Sequence, residues 1–233
     1  MKVRVKFSKH GVIRYIGHLD IMRYFQKAIR RSGLPVAYTK GFNPHQSLAF
    51  AQPLGVGIES EGEYFDLELN ELYKKEEMIH SLNMKMADGI EILDMVLLPD
   101  TSKNAMASVQ AASYQINFFP NHEPDFDWKN KLLHFLHSDT ILYTKETKKS
   151  TIDLNLKESI YDFKILEDSF YLLLNASSGG NIKPKYIFEA FYKTMNLTLD
   201  PFALFITRLE TYGRKEEAAV NSFIPLSEFG DTF

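Results

Sequence analysis

Apolar and polar residues alternate at the start of the chain, and this period of two predicts a strand over residues 2–7. Between residues 18 and 32 the apolar residues recur every three or four positions, which predicts a helix. Its predicted apolar stripe consists of Leu19, Met22, Phe25 and Ile29, with Ile21 and Ala28 beside it. Gly33 followed by Pro35 predicts the end of this helix.

The same patterns predict the rest of the first hundred residues. Strands are expected at 35–39, 47–51, 62–69 and 90–98, and a helix at 73–86. The strands at 35–39 and 47–51 are short and lie on either side of one loop. Counted together as one strand position, they give the order β-α-β-β-α-β. This order is typical of a ferredoxin-like, or split βαβ, unit.

A similar order follows in the second half of the chain, although the two halves share no sequence repeat. Strands are expected at 113–119, 139–144, 158–165, 169–175 and 203–212, and helices at 125–137 and 184–195. We therefore predict an α+β fold of two tandem ferredoxin-like units with antiparallel sheets. The expected domains are residues 1–102, residues 103–213 and a C-terminal tail at 214–233, which is either loosely ordered or docked as a short helix.

Composition narrows the class of protein. Hydrophobic residues make up 45% of the 233 residues, which is ordinary for a globular chain with a packed core. No apolar run approaches the roughly 18 residues of a membrane helix, and the alternating start does not resemble a signal peptide. We expect a cytoplasmic protein with no membrane partner. The chain has no cysteine, which excludes disulfides, a cysteine nucleophile and a cysteine-bound iron–sulfur cluster in these residues.

Charge is unevenly distributed along the chain. Residues 1–50 contain ten lysines or arginines and one acid, a net charge of +9. Residues 51–100 contain twelve acids and three lysines, a net charge of −9. This asymmetry is consistent with a nucleic-acid-binding face. It is equally consistent with two segments that pack together and pair their charges.

The start of the predicted helix carries the first candidate site. His18 lies on its first turn, where the positive end of the helix disfavours the imidazolium form and favours a neutral imidazole. Asp20 lies at the third helical position, where a carboxylate can accept hydrogen bonds from free backbone amides. Together with His45, these residues are the catalytic candidates. A purely capping or packing role is the alternative.

Basic residues form the second candidate site. Arg23, Lys27, Arg30 and Arg31 fall on one face of the predicted helix, roughly opposite its apolar stripe. Arg14, just before the helix, completes this candidate anion-binding set. Such a face can follow the phosphates of a nucleic acid. It can also be a solvated face or pair with the acidic residues that follow.

The third candidate site is the loop Lys40-Gly41-Phe42-Asn43-Pro44-His45. An exposed Phe42 between a lysine and a histidine is suited to stacking on a nucleic-acid base. Lys40 and Asn43 add groups that contact phosphate or base. In the alternative interpretation Phe42 plugs the core and Asn43 caps a turn. A metal site on His18, His45, Asp20 and Glu63 has no supporting spacing, so we expect no metal and no cofactor.

The segments around these candidates resemble a known family. They are Lys9, the run from Arg14 to Arg23, the run from Ala28 to Tyr38, Gly41 to His45, and Glu63-Tyr64. Residues 1–70 are similar to a radical-SAM-linked bacterial domain family of unknown function. The chain departs from that pattern at Gly17, where serine is expected, and at Gln46, where proline is expected.

The resemblance implies partnership with a radical-SAM protein, in a setting related to RNA or the ribosome, and it supplies no catalytic residues. Our leading hypothesis is a non-catalytic accessory protein that binds RNA or presents a substrate through its basic N-terminal face. One alternative is a metal-independent enzyme that acts on RNA or nucleotides through His18 or His45. The other is a protein–protein adaptor that docks a radical-SAM partner through its charged segments.

Overall fold

A computed structural model describes residues 1–146, 150–214 and 222–233. The chain divides into two compact units. Unit 1 consists of residues 1–110 and 208–233, and unit 2 consists of residues 111–207. These bounds differ from the predicted domains at 1–102, 103–213 and 214–233, because the last residues of the chain return to unit 1.

Unit 1 begins with four strands and two α-helices in the predicted order, with a 3₁₀ helix at Gly11–Tyr15 between the first strand and the first α-helix. They are β1 (Lys2–Lys9), α1 (His18–Ser32), β2 (Leu48–Phe50), β3 (Glu59–Glu68), α2 (Lys75–Asn83) and β4 (Ile90–Leu98). A one-turn helix, α3 (Ala105–Ser108), follows them. β1 lies between β4 and β3, β2 pairs with the outer edge of β3, and every one of these pairings is antiparallel. This order confirms the predicted ferredoxin-like arrangement for unit 1.

The core of unit 1 lies between this sheet and its helices. Phe7 of β1 packs against Phe25 of α1 with ring centroids 4.7 Å apart, and Phe65 of β3 contacts both rings. The buried residues of α1 are Ile21, Phe25, Ala28 and Ile29. Leu19 is 67% exposed, so its assignment to the apolar stripe is wrong. The predicted helix stop is confirmed, since Gly33 ends α1 with φ +77°, a conformation that favours glycine.

One predicted strand of unit 1 is not a regular strand. Residues 35–39 form two isolated bridges, in which Val36 pairs with Leu69 and Tyr38 pairs with Gln46. The pairing of Tyr38 with Gln46 closes the base of the loop that contains Phe42.

Unit 2 contains two α-helices, five strands and the first residues of a sixth strand. They are β5 (Ala111–Phe118), α4 (Trp128–Leu136), β6 (Leu142–Glu146), β7 (Thr151–Asn155), β8 (Ile160–Ile165), β9 (Phe170–Asn175), α5 (Pro184–Thr194) and β10 (Leu204–Gly213). The sheet order β10-β5-β9-β8 again has the ferredoxin-like arrangement, and the first residues of β10 belong to this unit. β6, which overlaps the strand expected at 139–144, and the unpredicted β7 form a separate hairpin, and β8 takes the edge position of the larger sheet.

The C-terminal residues complete unit 1. The second half of β10 approaches β3, where Thr211 Oγ1 donates to the carbonyl oxygen of Gly62 at 2.7 Å. β11 (Ile224–Pro225) pairs with the end of β10, and a 3₁₀ turn at Leu226–Phe229 buries Leu226 completely. The predicted tail therefore includes a docked short helix, while its residues 215–221 lie outside the described residues. Within the described ranges, no helix has the length and apolar character needed to cross a membrane.

Candidate functional site

A small cavity opens beside the first turn of α1. Its volume is about 20 Å³, which is room for about one water molecule. Its lining consists of Phe7, Lys9, His18, Ile21, Phe50, Ala51, Gln52, Leu54, Glu63 and Tyr64. Three ionisable groups of different kinds, an amine, an imidazole and a carboxyl, therefore face one largely apolar space.

Lys9 is a buried cation at the end of β1. Its Nζ donates to the carbonyl oxygen of Ile16 at 2.9 Å and to that of Arg14 at 3.4 Å. These bonds hold the segment that leads into α1. Burial lowers the pKa of Lys9, and the nearby Glu63 carboxylate opposes that shift.

Glu63 of β3 is held by two donors. Its Oε1 accepts from Ser60 Oγ at 2.8 Å and from Arg208 Nη1 at 2.9 Å. Arg208 Nη1 also donates to the carbonyl oxygen of Gln52 at 3.1 Å. Because Glu63, Ser60 and Arg208 are all buried, the carboxylate has a fixed position at the cavity.

His18 is half-buried at the first position of α1. Its ring meets Phe50 edge-on, with centroids 5.7 Å apart. Burial lowers the pKa of His18, Glu63 opposes the shift and Lys9 adds to it. The direction agrees with the expected neutral imidazole, and its main cause is burial. A neutral imidazole next to a carboxylate is able to accept a proton.

The structure does not bring Asp20 and His45 to this cavity. Asp20 is exposed and its Oδ1 accepts from Arg23 Nη1 at 3.3 Å, so it forms an exposed ion pair. His45 is exposed at the base of the Phe42 loop, where its Nδ1 lies 3.3 Å from the carbonyl oxygen of Gln46. In the part of the chain that the structure describes, no three histidine or acidic side chains lie together as a metal site.

The basic face of α1 is defined here as Arg23, Lys27, Arg30 and Arg31, and all four residues are exposed. Arg23 pairs with Asp20, whereas the described residues offer no ion pair to the other three. Arg14 does not join this face. Its Nη1 donates to Glu59 Oε1 at 2.9 Å, which places it in an ion pair instead.

Part of the charge asymmetry is explained by pairing within unit 1. Arg4 pairs with Asp66, and Lys6 Nζ lies 2.5 Å from Glu210 Oε2. His10 also contacts Glu59, with Nδ1 to Oε2 at 3.1 Å. The interpretation that the two segments pair their charges therefore holds in part, because Arg4 and Arg14 pair with acids of residues 51–100. The nucleic-acid-binding interpretation stays a prediction.

The Phe42 loop, defined as Lys40–His45, has a fixed base and an exposed tip. The backbone N–H of Thr39 donates to the carbonyl oxygen of His45 at 2.8 Å, and the N–H of His45 donates to Thr39 Oγ1 at 3.1 Å. Gly41 has φ +123°, which few other residues adopt. Phe42 has a relative exposure of 112%, so the interpretation of Phe42 as a core plug is wrong.

Three buried residues of this region were missed as site residues at the level of sequence: Lys9, Ser60 and Arg208. A signal existed for the first of them. Lys9 is in phase with the apolar Val3, Val5 and Phe7 of its strand, so the alternation directs a cation toward the core. Glu63 is likewise in phase with Phe65 and Leu67. Charges at inward positions of two neighbouring strands predict a buried polar cluster.

A scan against family models matches residues 2–184 to a family described as an uncharacterized protein conserved in bacteria, DUF2344. The chain belongs to this family. No curated protein matches the sequence. Among solved structures, the chain is similar to one in a crystal structure of a Cbf5-Nop10-Gar1 complex, at 8% identity and a TM-score of 0.45. That match covers 90% of this chain and 48% of the other, so the chain spans about half the length of the solved one.

Proposed function

We propose that this member of the DUF2344 family is a non-catalytic accessory module that binds single-stranded RNA through unit 1 and presents it to a radical-SAM enzyme. The observation that carries the proposal is the full exposure of the Phe42 ring at the tip of its loop. A large aromatic ring in water is unfavourable by itself, and stacking on a base would remove it from water. Lys40 and Asn43 are exposed on either side of that ring.

The cations at the end of α1 support the same proposal. Lys27, Arg30 and Arg31 project from the side of α1 opposite its buried residues, and the described residues leave them without an ion pair. A group of unpaired cations on one helix face suits a polyanion, because neutralising phosphates releases bound counterions. The net charge of the chain is −3, so this attraction is local to the face and does not come from the whole protein.

A single strand fits these features better than a duplex. Stacking on Phe42 requires a base that is not already stacked between neighbours, and such bases occur in loops, bulges and single strands. A duplex would satisfy the cations of α1 but would leave the exposed ring without a partner.

Filter binding across a salt series tests the RNA-binding part. We expect binding to a single-stranded RNA to weaken as salt rises from about 50 to 200 mM. Arg30→Ala and Arg31→Ala should each reduce the slope of log K against log salt by about 0.7, the value for one phosphate contact on a single strand. Lys193→Ala, an exposed lysine of unit 2, is the matched control and should leave the slope unchanged. Absence of binding at low salt, or equal slopes for all variants, would contradict the proposal.

The radical-SAM partner rests on the family resemblance of residues 1–70. The absence of cysteine from these 233 residues is compatible with a division of labour, in which the cluster belongs to the partner. Co-purification from the native host tests this part. Recovery of a radical-SAM protein together with RNA is the expected result, and recovery of RNA alone would leave only the RNA-binding part.

A second candidate function is supported by the cavity beside α1. Buried ionisable groups with shifted pKa values that face a common space are a feature of catalytic sites. Here the pKa of His18 and that of Lys9 are both lowered by burial next to Glu63. The corresponding hypothesis is an enzyme that acts on RNA with His18 as general base. Incubating RNA with the protein and with His18→Ala discriminates the two, because cleavage by both variants or by neither argues against the enzyme.

A further inference from the structure

β8 forms an open edge of the sheet of unit 2. It pairs with β9 on one side, and in the described part of the chain no strand pairs with its other side. The N–H of Leu166 donates to the carbonyl oxygen of Ser169 at 2.9 Å, which fixes the direction of the backbone groups at the turn into β9. Because this direction alternates along an antiparallel strand, Lys164 bonds to β9 whereas Phe163 and Ile165 direct their backbone groups outward. Such an edge is a template for pairing with another strand.

Two opposite charges lie on either side of Phe163 in this edge strand. Asp162 and Lys164 are both exposed, and as alternate residues of a strand they project from the same face of the sheet. Phe163 projects from the opposite face, where its ring meets that of His137 edge-on with centroids 5.2 Å apart. The outward N–H of Phe163 donates to Asp162 Oδ1 at 2.8 Å. An exposed side chain that is free to move, and not a neighbouring strand, therefore satisfies this amide.

We propose that the β8 edge is a homodimer interface, in which β8 pairs antiparallel with β8 of a second copy about Phe163. In this register Asp162 of each copy lies opposite Lys164 of the other, so both charges of each strand meet an opposite charge. Phe163 lies opposite its own counterpart, and the outward groups of the two residues bond to each other. Asp162 and Lys164 then form non-hydrogen-bonded pairs, in which the side chains of opposed residues are closest.

The charges select both the register and the partner. A pairing about Lys164 would place two lysines opposite each other, and a pairing about Asp162 would do the same with two aspartates. Like charges directly opposite are destabilising, so the pairing about Phe163 is favoured. A strand of another protein would need its own pattern of opposite charges, whereas a second copy supplies this pattern from the same sequence. The symmetric pairing also closes at two copies and does not extend into a fibre.

The proposed interface is small. β8 contains six residues, and its apolar side chains Tyr161, Phe163 and Ile165 are half-buried within unit 2. The pairing would bury less surface than a standard stable complex, so we expect a transient dimer with a dissociation constant on the order of 10 μM. This inference involves no RNA and no residue of unit 1, so it does not depend on the function proposed above.

Sedimentation velocity of the full chain, from about 1 to about 200 μM, tests the inference. We expect the wild type to shift from monomer to dimer across this range. Asp162→Lys and Lys164→Asp should each weaken dimerisation at least roughly tenfold, because each replaces two attractive pairs with two repulsive ones. The double variant Asp162→Lys/Lys164→Asp should restore the wild-type dissociation constant to within about threefold, since it exchanges the charges and keeps them opposite. Lys193→Asp, at an exposed lysine of α5, is the matched control and should dimerise as the wild type does.

The double variant also controls for folding, because it contains both substitutions. A wild type that stays monomeric at the highest concentration overturns the inference, and so do single variants that dimerise as the wild type does. A double variant that dimerises as weakly as the single variants overturns it as well. Amide hydrogen exchange of the wild type is a second measurement that needs no variant. Protection of the Phe163 and Ile165 amides should rise with protein concentration, and protection that is independent of concentration at both positions contradicts the pairing.

Discussion

Arg4 of β1 and Asp66 of β3 form a buried ion pair with two hydrogen bonds, Nε to Oδ1 at 2.8 Å and Nη2 to Oδ2 at 3.1 Å. Both residues lie at the centre of unit 1, on the sheet face opposite the one that packs against α1 and α2. The pair therefore joins two neighbouring strands where water does not compete for either group.

Removal of one partner of this pair should be strongly destabilising. We expect Asp66→Ala to reduce the free energy of unfolding by about 3–5 kcal/mol, because it leaves the Arg4 charge buried and uncompensated. Urea denaturation measures the change. The matched control is Asp20→Ala, which breaks an exposed pair and should cost no more than about 1 kcal/mol. Equal losses of unfolding free energy for the two variants would show that the buried pair stabilises the protein no more than the exposed pair does.

The exposed Phe42 ring predicts a variant that loses RNA binding and keeps its stability. Phe42→Ala should leave the free energy of unfolding unchanged, since the ring has no buried surface to lose. It should weaken single-stranded RNA binding by about 1–3 kcal/mol, the value of one stacked base. Filter binding at fixed salt measures the loss. Phe202→Ala, at a ring that is 76% exposed in unit 2, serves as the control and should not alter the affinity.

The close approach of β3 and β10 predicts intolerance of any side chain at Gly62. A Cβ at this position would lie 2.6 Å from the Cα of Glu210, a backbone atom that does not move easily. We expect Gly62→Ala to reduce the free energy of unfolding by about 1–3 kcal/mol through overpacking. At Gly179 an added Cβ meets nothing within 4 Å, so Gly179→Ala is the control and should be close to neutral. A neutral Gly62→Ala in urea denaturation would contradict the packing at this crossing.

The burial of His18 predicts a dependence of stability on pH. Burial lowers the pKa of His18 from the ordinary value of 6.5. Below that value the unfolded chain binds more protons than the folded one, so folding free energy is lost as pH falls. The urea midpoint of the wild type should therefore decrease as pH falls from about 7.5 to about 5.5, and the midpoint of His18→Gln should decrease less. His80→Gln, at an exposed histidine, should behave as the wild type. If the urea midpoint of His18→Gln falls as much as that of the wild type, the burial of His18 is not the cause of the pH dependence.

Hydrophobic periodicity predicted the fold because each element carries its own signal. The stripe of α1 and the alternation of β3 are local patterns, and the order of elements was enough to indicate the ferredoxin-like arrangement of both units. The strand expected at 139–144 overlaps β6, but β7 was not predicted, although its Ile152 and Leu154 alternate with polar residues. Both strands of this hairpin are largely exposed, so no buried face marks the pair. The return of the last residues to unit 1 was missed for a related reason. No local pattern shows that Arg208 contacts Glu63 across 145 positions.

The candidate site was predicted in part. The sequence indicated His18, the basic face of α1 and the Phe42 loop, since each depends on a short segment. It did not indicate that Arg14 forms an ion pair with Glu59, nor that Asp20 does not line the cavity. Those outcomes depend on which strands lie side by side, and a charge in the sequence does not reveal its partner.

The return of the C-terminal residues has a consequence for how the protein is made. Arg4 contacts the carbonyl oxygen of Leu226, Lys6 contacts Glu210, and Leu97 pairs with Asp231. On the ribosome, the first hundred residues emerge while these partners are still untranslated. Unit 2 is one continuous stretch, so all of its residues are synthesised before the last residues of unit 1. We therefore expect unit 1, whose first residues leave the ribosome first, to reach its native structure after unit 2. Until then the surface of unit 1 that these residues cover is exposed to solvent.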